Sequence, residues 1–138
     1  MRLALVLLAL AILAPVAAGA STPSPEGRRI LAQRDREERE RAEVVVVGRW
    51  QGSCDHLDDQ VYYCRGTVVP TRHRRGKRLA EYRIDYREEL DLISGSNHPP
   101  EAGTCARFYL QENRDWRPGS YEVLQYKSLS ATSKACAK

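Results

Sequence analysis

The sequence has few histidines and none of the common catalytic signatures. It contains three histidines, His56, His73 and His98, and it lacks a Gly-x-Ser-x-Gly elbow, a His-Glu-x-x-His helix and a phosphate-binding loop. Its carboxylates are abundant, but most alternate with basic residues on faces predicted to be solvated. We therefore expect a protein that is not an enzyme and holds no metal or cofactor; a Ser, His and Asp brought together only by folding is the alternative.

Long hydrophobic runs are also scarce. Beyond the first 20 residues, no apolar run approaches the roughly 18 residues that a membrane-spanning helix needs. No cysteine stands at the predicted cleavage site described below, where it could carry a lipid anchor. We therefore expect no membrane span and a product that is soluble outside the cytoplasm.

The first apolar run has the form of an export signal. Arg2 supplies the positive charge, Leu3 to Leu13 the apolar core, and Ala18-Gly19-Ala20 a cleavage site before Ser21. We predict a signal peptide over residues 1–20 and a secreted or periplasmic mature chain. That chain has about 118 residues, enough for one domain, and a net charge of about +3, too small by itself to imply a polyanionic partner.

Cysteine is rare, and the number of cysteines is even. The four are Cys54, Cys64, Cys105 and Cys136. Because exported proteins fold in an oxidising compartment, two disulfides are favoured over free thiols. Three pairings are open to four cysteines. We favour Cys54 with Cys64, which closes a short acidic turn. The other pair, Cys105 with Cys136, then ties down a polar tail over residues 128–138.

The segment before the first predicted strand is strongly charged. Residues 21–27 are rich in turn formers, and Arg28 to Glu43 has a helical composition with opposite charges four positions apart, as in Arg34 and Glu38. The helical part has almost no apolar stripe to bury. We predict a flexible and helical charged arm over residues 21–43 that stays solvated; a tether or partner helix is the alternative.

From Val44 onward, apolar residues recur at every second position, which is typical of strands. The clearest alternation places Ala80, Tyr82, Ile84 and Tyr86 on one face and Glu81, Arg83, Asp85 and Arg87 on a solvated face. Other strands are predicted at Val44–Val47, Tyr62–Val68, Ala106–Leu110 and Tyr121–Tyr126, with turns at Ser94-Gly95, Pro99-Pro100 and Pro118-Gly119. We predict an all-β domain over residues 44–138, a small antiparallel barrel or sandwich of five to six strands stapled by disulfides.

One short segment, Arg72–Arg78, concentrates positive charge, and we call it the basic segment. Its cations are Arg72, Arg74, Arg75, Lys77 and Arg78. Gly76 can adopt a positive φ, so we predict that the basic segment forms the tip of a β-hairpin. Guanidinium groups match phosphate and sulfate oxygens in pairs. The predicted partner is a polyanion, anionic lipid head groups or an acidic protein surface; a solvated loop that maintains solubility is the alternative.

The basic segment also matches the Arg-x-basic-Arg pattern that secretory convertases cleave, at Arg72–Arg75 and again at Arg75–Arg78. Cleavage there would cut between two strands that we expect to pair. Binding is therefore favoured over processing.

A metal site near the first disulfide is a further alternative. Cys54, His56 and Cys64 have the side chains of three zinc ligands, and the carboxylates between them suit a hard cation. Oxidation would consume both thiolates, so we favour a structural disulfide beside an acidic turn.

Two short stretches resemble known families. Gly48-Arg49-Trp50 is similar to the start of lipocalin-like barrels and, with two cysteines following, to small bacterial protease-inhibitor barrels. Either resemblance implies that Trp50 closes the base of a barrel. Tyr62–Val69, Tyr82–Arg87, Cys105 and Trp116–Val123 resemble netrin-like domains of the metalloproteinase-inhibitor type, although those domains begin at a cysteine and Cys54 lies well inside the mature chain. Each resemblance covers a few residues, and no family is assigned from them.

The aromatic residues favour binding over turnover. Seven tyrosines stand against one phenylalanine, and tyrosine favours half-buried surfaces and interfaces. We expect a small secreted non-catalytic binding domain that engages an anionic partner through its basic segment. The alternatives are a secreted protein inhibitor and a small-ligand carrier with a β-barrel fold.

Overall fold

A computed structural model describes residues 22–58, 61–89 and 100–137. They form one helix and five strands: α1 (Pro25–Arg41), β1 (Val44–Asp58), β2 (Val61–Arg75), β3 (Tyr82–Glu89), β4 (Cys105–Glu112) and β5 (Tyr121–Ser128). The predicted signal peptide over 1–20, the turn at Ser94-Gly95 and His98 lie outside the described residues.

The five strands form a mixed sheet arranged as a ring, in the order β1-β2-β3-β5-β4 with β4 back beside β1. Neighbouring strands are antiparallel except β3 and β5, which are parallel and share one paired position, Ile84 opposite Tyr121. The mostly β fold is confirmed, but the sheet is not antiparallel throughout. An odd number of strands cannot alternate direction all the way around a ring, so one neighbouring pair has to be parallel.

The interior of the ring is filled by side chains from alternate strand positions. The largest fully buried ones, Trp50, Tyr82 and Phe108, come from β1, β3 and β4. Ile84 and Leu110 pack with them in one apolar cluster. The period-two pattern therefore identified the core face of β3, and β4 follows the same rule, because each inward residue follows the last by two positions.

A second, smaller apolar cluster includes Val47 of β1. It consists of Val47, Cys105 and Cys136, with Leu129 and Ala135 packed beside them. The C-terminal tail is also held by polar contacts, because the Thr71 hydroxyl donates to the carbonyl of Ala135 at 2.6 Å. The polar tail is thus attached to the sheet by a disulfide and by a hydrogen bond.

Both disulfides join the pairs favoured from the sequence, Cys54–Cys64 and Cys105–Cys136. Cys54 and Cys64 lie directly opposite each other on β1 and β2, with their Cα atoms 4.0 Å apart. The second bridge closes a longer loop, with a sequence separation of 31 against 10 for the first. Two disulfides indicate folding in an oxidising compartment outside the cytoplasm.

Helix α1 begins three residues before the predicted helical segment. The Ser24 hydroxyl accepts a 3.1 Å hydrogen bond from the backbone N–H of Gly27, and Pro25 occupies the first turn, so residues predicted as a turn-rich arm start the helix. No residue of α1 is buried. The helix ends at Arg41 because the N–H of Glu43 donates to the carbonyl of Leu110 at 2.9 Å, which draws the chain into the sheet.

Strand β3 starts two residues after the sequence alternation, which begins at Ala80. The chain bends at Ala80, which is exposed, and the strand begins at Tyr82. The Tyr82 hydroxyl donates to the carbonyl of Lys77 and accepts from the N–H of Leu79. These two contacts hold residues 77–79 in a loop against the ring.

Candidate functional site

We predicted that the basic segment forms the tip of a hairpin. In the structure, β2 continues through Arg75, so half of this segment belongs to the strand. Arg72 lies opposite Val47, His73 opposite Val46 and Arg75 opposite Val45. The β-branched run at the start of β1 gives this part of β2 a strand to pair with. The turn follows at Gly76, which has a φ of 86°, so the first half of the basic segment stands on a sheet and the second half on a loop.

The side chain of Arg75 is hydrogen-bonded to the C-terminal end of α1. Its guanidinium donates to the carbonyl of Arg39 at 2.6 Å and to the carbonyl of Ala42. The last carbonyls of a helix have no partner within the helix and carry the negative end of its dipole. Arg75, which we predicted to belong to the anion-binding set, therefore caps the C-terminus of α1 with one of its guanidinium nitrogens.

The other four cations of the basic segment are exposed. Arg72, Arg74, Lys77 and Arg78 form no side-chain hydrogen bond or ion pair with any described residue. The backbone beneath them is fixed, because the His73 ring lies 6.0 Å from that of Tyr82 and its Nε2 atom is 3.2 Å from the carbonyl oxygen of Leu79. Four cations without an acidic partner among the described residues thus project from this region, two from the end of β2 and two from the loop that follows it.

A second site lies on the outer face of β2 and β3, around Asp85. The prediction placed Asp85 on a solvated face, but its side chain is fully buried. The Tyr63 hydroxyl donates to its Oδ1 atom at 2.6 Å, and the Nη1 atom of Arg117 lies 3.2 Å from Oδ2. A buried carboxylate is costly unless it is paired, and these two side chains supply the pairing.

The segment 113–120 covers Asp85. The Asn113 side-chain amide donates to the backbone carbonyl of Asp85 at 2.8 Å and to the Ser120 hydroxyl at 2.9 Å. The same hydroxyl donates to the carbonyl of Arg117 at 2.7 Å. The predicted turn at Pro118-Gly119 is present, with a φ of 81° at Gly119. These hydrogen bonds fix the segment on the sheet, and Ser120 is fully buried with it.

Trp116 projects from this covering segment and is 51% exposed. Its ring packs edge-on against that of Tyr63, with centroids 6.1 Å apart, and the Arg117 guanidinium lies 5.7 Å from its centroid. A surface pocket of about 420 Å³ opens beside it, and we call it the Trp116 pocket. Its lining residues are Tyr86, Arg87, Asn113, Trp116 and Glu122.

Arg65 completes the aromatic surface next to the Trp116 pocket. Its guanidinium lies 5.0 Å from the centroid of the Tyr63 ring and donates to the Tyr63 hydroxyl at 3.0 Å. That hydrogen bond raises the pKa of Arg65 above its ordinary value. The buried carboxylate of Asp85 therefore interacts with two guanidinium groups. Arg117 contacts it directly, and Arg65 is connected to it through the Tyr63 hydroxyl.

Sequence reasoning missed this second site. Asp85 and Arg117 are 32 positions apart in the sequence. The alternation within one strand does not predict that a distant segment will fold over one of its residues. The available signal was Trp116, a tryptophan in a polar, turn-rich stretch rather than in a strand. Such a side chain has no core to enter locally, so it either anchors the segment or faces a ligand.

The acidic residues after Cys54, which we predicted to form a turn, belong to β1 as far as Asp58. Cys54 and Cys64 are bonded to each other, and the His56 ring packs on that of Tyr62 with centroids 4.0 Å apart. Among residues 22–58, 61–89 and 100–137, no group of three or more His, Cys, Asp and Glu is arranged to hold a metal ion. In the same part of the chain, no helix has the length and apolar character to cross a membrane.

Comparison of the chain with protein-family models, with curated proteins and with solved structures finds no match. The basic segment and the Trp116 pocket are the two candidate sites among the described residues.

Proposed function

We propose that this chain is a secreted, non-catalytic binding domain with a small β-barrel fold that holds a sulfated or phosphorylated polyanion on its basic segment. The observation that carries the proposal is the set of four exposed cations without acidic partners among the described residues: Arg72, Arg74, Lys77 and Arg78. Cations held close together on a fixed backbone repel one another, and a polyanion relieves that repulsion.

The arrangement of the backbone favours a repeating anion over a single one. Arg72 and Arg74 belong to β2, whereas Lys77 and Arg78 follow the turn at Gly76. The charges therefore spread along a strand end and a loop instead of converging on one point. Guanidinium groups spaced in this way suit successive sulfate or phosphate groups of a chain.

The large side chains that the described strands place inside the ring favour surface binding over carriage of a small ligand there. Trp50 and Phe108 are among the buried side chains that occupy this space. A carrier of the lipocalin-like kind needs an enclosed cavity between its strands. We therefore place the binding function on the outer surface.

Heparin affinity chromatography over a salt gradient tests the proposal. In the test variant, Arg72, Arg74, Lys77 and Arg78 are all replaced by glutamine, which keeps the side chains long and polar. The parent protein should be retained at low salt and elute progressively as salt rises, because bound cations displace counterions from the polyanion. The variant should lose retention at about 0.15 M salt, where the screening length is about 8 Å.

A matched control removes the same charge elsewhere. It replaces four cations of α1, Arg28, Arg29, Arg36 and Arg41, by glutamine and should keep most of the retention. Equal loss in both variants would show that net charge alone binds heparin and would overturn the proposal. Absence of retention in the parent protein would also overturn it and leave the basic segment as a solvated surface.

Arg75 provides an internal check on the assignment. The Arg75 guanidinium is hydrogen-bonded to backbone carbonyls at the end of α1. Arg75→Gln should therefore reduce heparin retention less than Arg74→Gln does. The reverse order would mean that Arg75 leaves the helix to bind the anion, and the four-residue site would then be wrong.

A further inference from the structure

We infer that the Trp116 pocket is a second binding site, and that its ligand is a neutral saccharide. The site is lined by residues of β3, of the segment 113–120 and of β5, and it shares no residue with the basic segment. Its ligand class also differs, so the inference stands whether or not the basic segment binds a polyanion.

The first support is a fixed and exposed aromatic ring. Trp116 is 51% exposed, although its segment is fastened to buried groups through Asn113 and Ser120. An indole held in place without being buried loses little conformational freedom when a ligand covers it. The electron-rich face of an aromatic ring attracts the polarised C–H groups that a sugar ring presents on one side.

The second support is the pairing of donors and acceptors around that ring. Arg87 offers N–H donors and Glu122 offers carboxylate acceptors. Both N–H groups of the Asn113 amide are used, by Asp85 and Ser120, which leaves its Oδ1 atom as a further acceptor. Sugar hydroxyls donate and accept at once, and they match a rim that contains both kinds of group.

The third support is the charge balance, which separates a saccharide from an anion or a lipid. Among the five lining residues, Arg87 and Glu122 carry opposite charges and cancel. The second guanidinium near Trp116, that of Arg117, is paired with Asp85. The Trp116 pocket therefore has no net charge that would attract a polyanion. An acyl chain in the pocket would leave the charged groups of Arg87 and Glu122 without hydrogen-bond partners. The volume, about 420 Å³, lies within the range of about 300–1,000 Å³ that is usual for small ligands.

Tryptophan fluorescence tests the inference directly, because the two tryptophans differ in exposure. Trp50 is 1% exposed, so iodide quenching reports mainly on Trp116. The probes are neutral oligomers of glucose, mannose, galactose and N-acetylglucosamine, with heparin-derived oligosaccharides as the charged comparison. At least one neutral oligomer should protect Trp116 from iodide, and calorimetric titration should show that its affinity changes little between low and physiological salt.

Variants at the pocket then separate a binding role from a structural one. Trp116→Ala should weaken the affinity for that oligomer by about tenfold or more, which is 1.4 kcal/mol, whereas Trp116→Tyr keeps a ring and should keep most of it. Glu122→Gln should weaken binding while the far-ultraviolet and near-ultraviolet spectra stay those of the parent. Leu57→Ala, which removes a comparably exposed apolar side chain that does not line the pocket, should have no effect.

Three results would overturn the inference. The first is that no neutral oligomer protects Trp116 at millimolar concentration. The second is that an oligomer binds equally well to Trp116→Ala. The third is that only the sulfated oligosaccharides bind and that their binding disappears in the glutamine variant of the basic segment, which would assign all binding to that segment.

Discussion

The hydroxyl of Tyr63 donates a 2.6 Å hydrogen bond to the buried carboxylate of Asp85. On its other side the same hydroxyl accepts a 3.0 Å hydrogen bond from exposed Arg65. Tyr63 therefore connects a surface cation to a buried anion across the outer face of the sheet. Because Arg117 pairs with the same carboxylate, this connection also helps to hold the segment that carries Trp116.

Replacing Tyr63 by phenylalanine should lower the free energy of unfolding by about 1.5–3 kcal/mol, the usual contribution of a hydrogen bond to a charged group. The measurement is equilibrium unfolding in urea. Tyr109→Phe is the matched control, since the Tyr109 hydroxyl forms no hydrogen bond with a described residue, and it should change stability by less than about 0.5 kcal/mol. Equal effects in the two variants would contradict the pairing of Tyr63 with Asp85.

Replacing Arg75 by alanine should loosen the C-terminal turn of α1. The variant loses the donor to the carbonyls of Arg39 and Ala42, and we expect a loss of about 1 kcal/mol of helix stability. Amide hydrogen exchange should therefore speed up over the last turn of the helix while the strands keep their protection. Arg74→Ala, one position away and without such contacts, should leave the exchange pattern unchanged; matching acceleration in both would refute the capping role.

Alkaline pH should destabilise the protein through two buried tyrosines. Burial raises the pKa of both Tyr82 and Tyr121 above the ordinary value of 10.0, and for Tyr82 the Leu79 N–H and Arg78 partly oppose this effect. A raised folded-state pKa gives stability that is complete below the unfolded pKa and is lost as pH rises through the folded one.

Absorbance at 295 nm over increasing pH checks this expectation. A late phase above pH 10.0 should accompany loss of the folded state, and Tyr121→Phe should reduce its amplitude. A parent protein whose tyrosines all ionise in one early phase while the fold persists would contradict it. The two rings are in contact, with centroids 5.4 Å apart, so Tyr82→Phe should also alter the late phase.

The two disulfides should differ in their contribution to stability. In the chain-entropy model, a loop of 31 residues gives about 3.7 kcal/mol and one of 10 residues about 2.7 kcal/mol. Cys105→Ala with Cys136→Ala should therefore cost about 1 kcal/mol more than Cys54→Ala with Cys64→Ala, and more again where the tail detaches from Val47. Thermal unfolding of the two double variants gives the comparison, and the opposite order would count against this account.

The sequence by itself determined which face of β3 carries the apolar side chains of the core. Tyr82 and Ile84 were placed on one face because a strand turns every second side chain to the same side, and this rule needs no knowledge of distant segments. The two disulfides follow in the same way from an even number of cysteines and a predicted oxidising compartment. Local spacing and composition carry this information.

Only the tertiary structure decided the environment of the charged residues. Asp85 has the spacing of a solvated residue and becomes buried because segment 113–120 folds over it. Arg75 has the sequence neighbourhood of a free cation and becomes a helix cap because β2 extends to the end of α1. In both cases the partner is far away along the chain, so the outcome depends on how strands pair around the ring, which local periodicity does not encode.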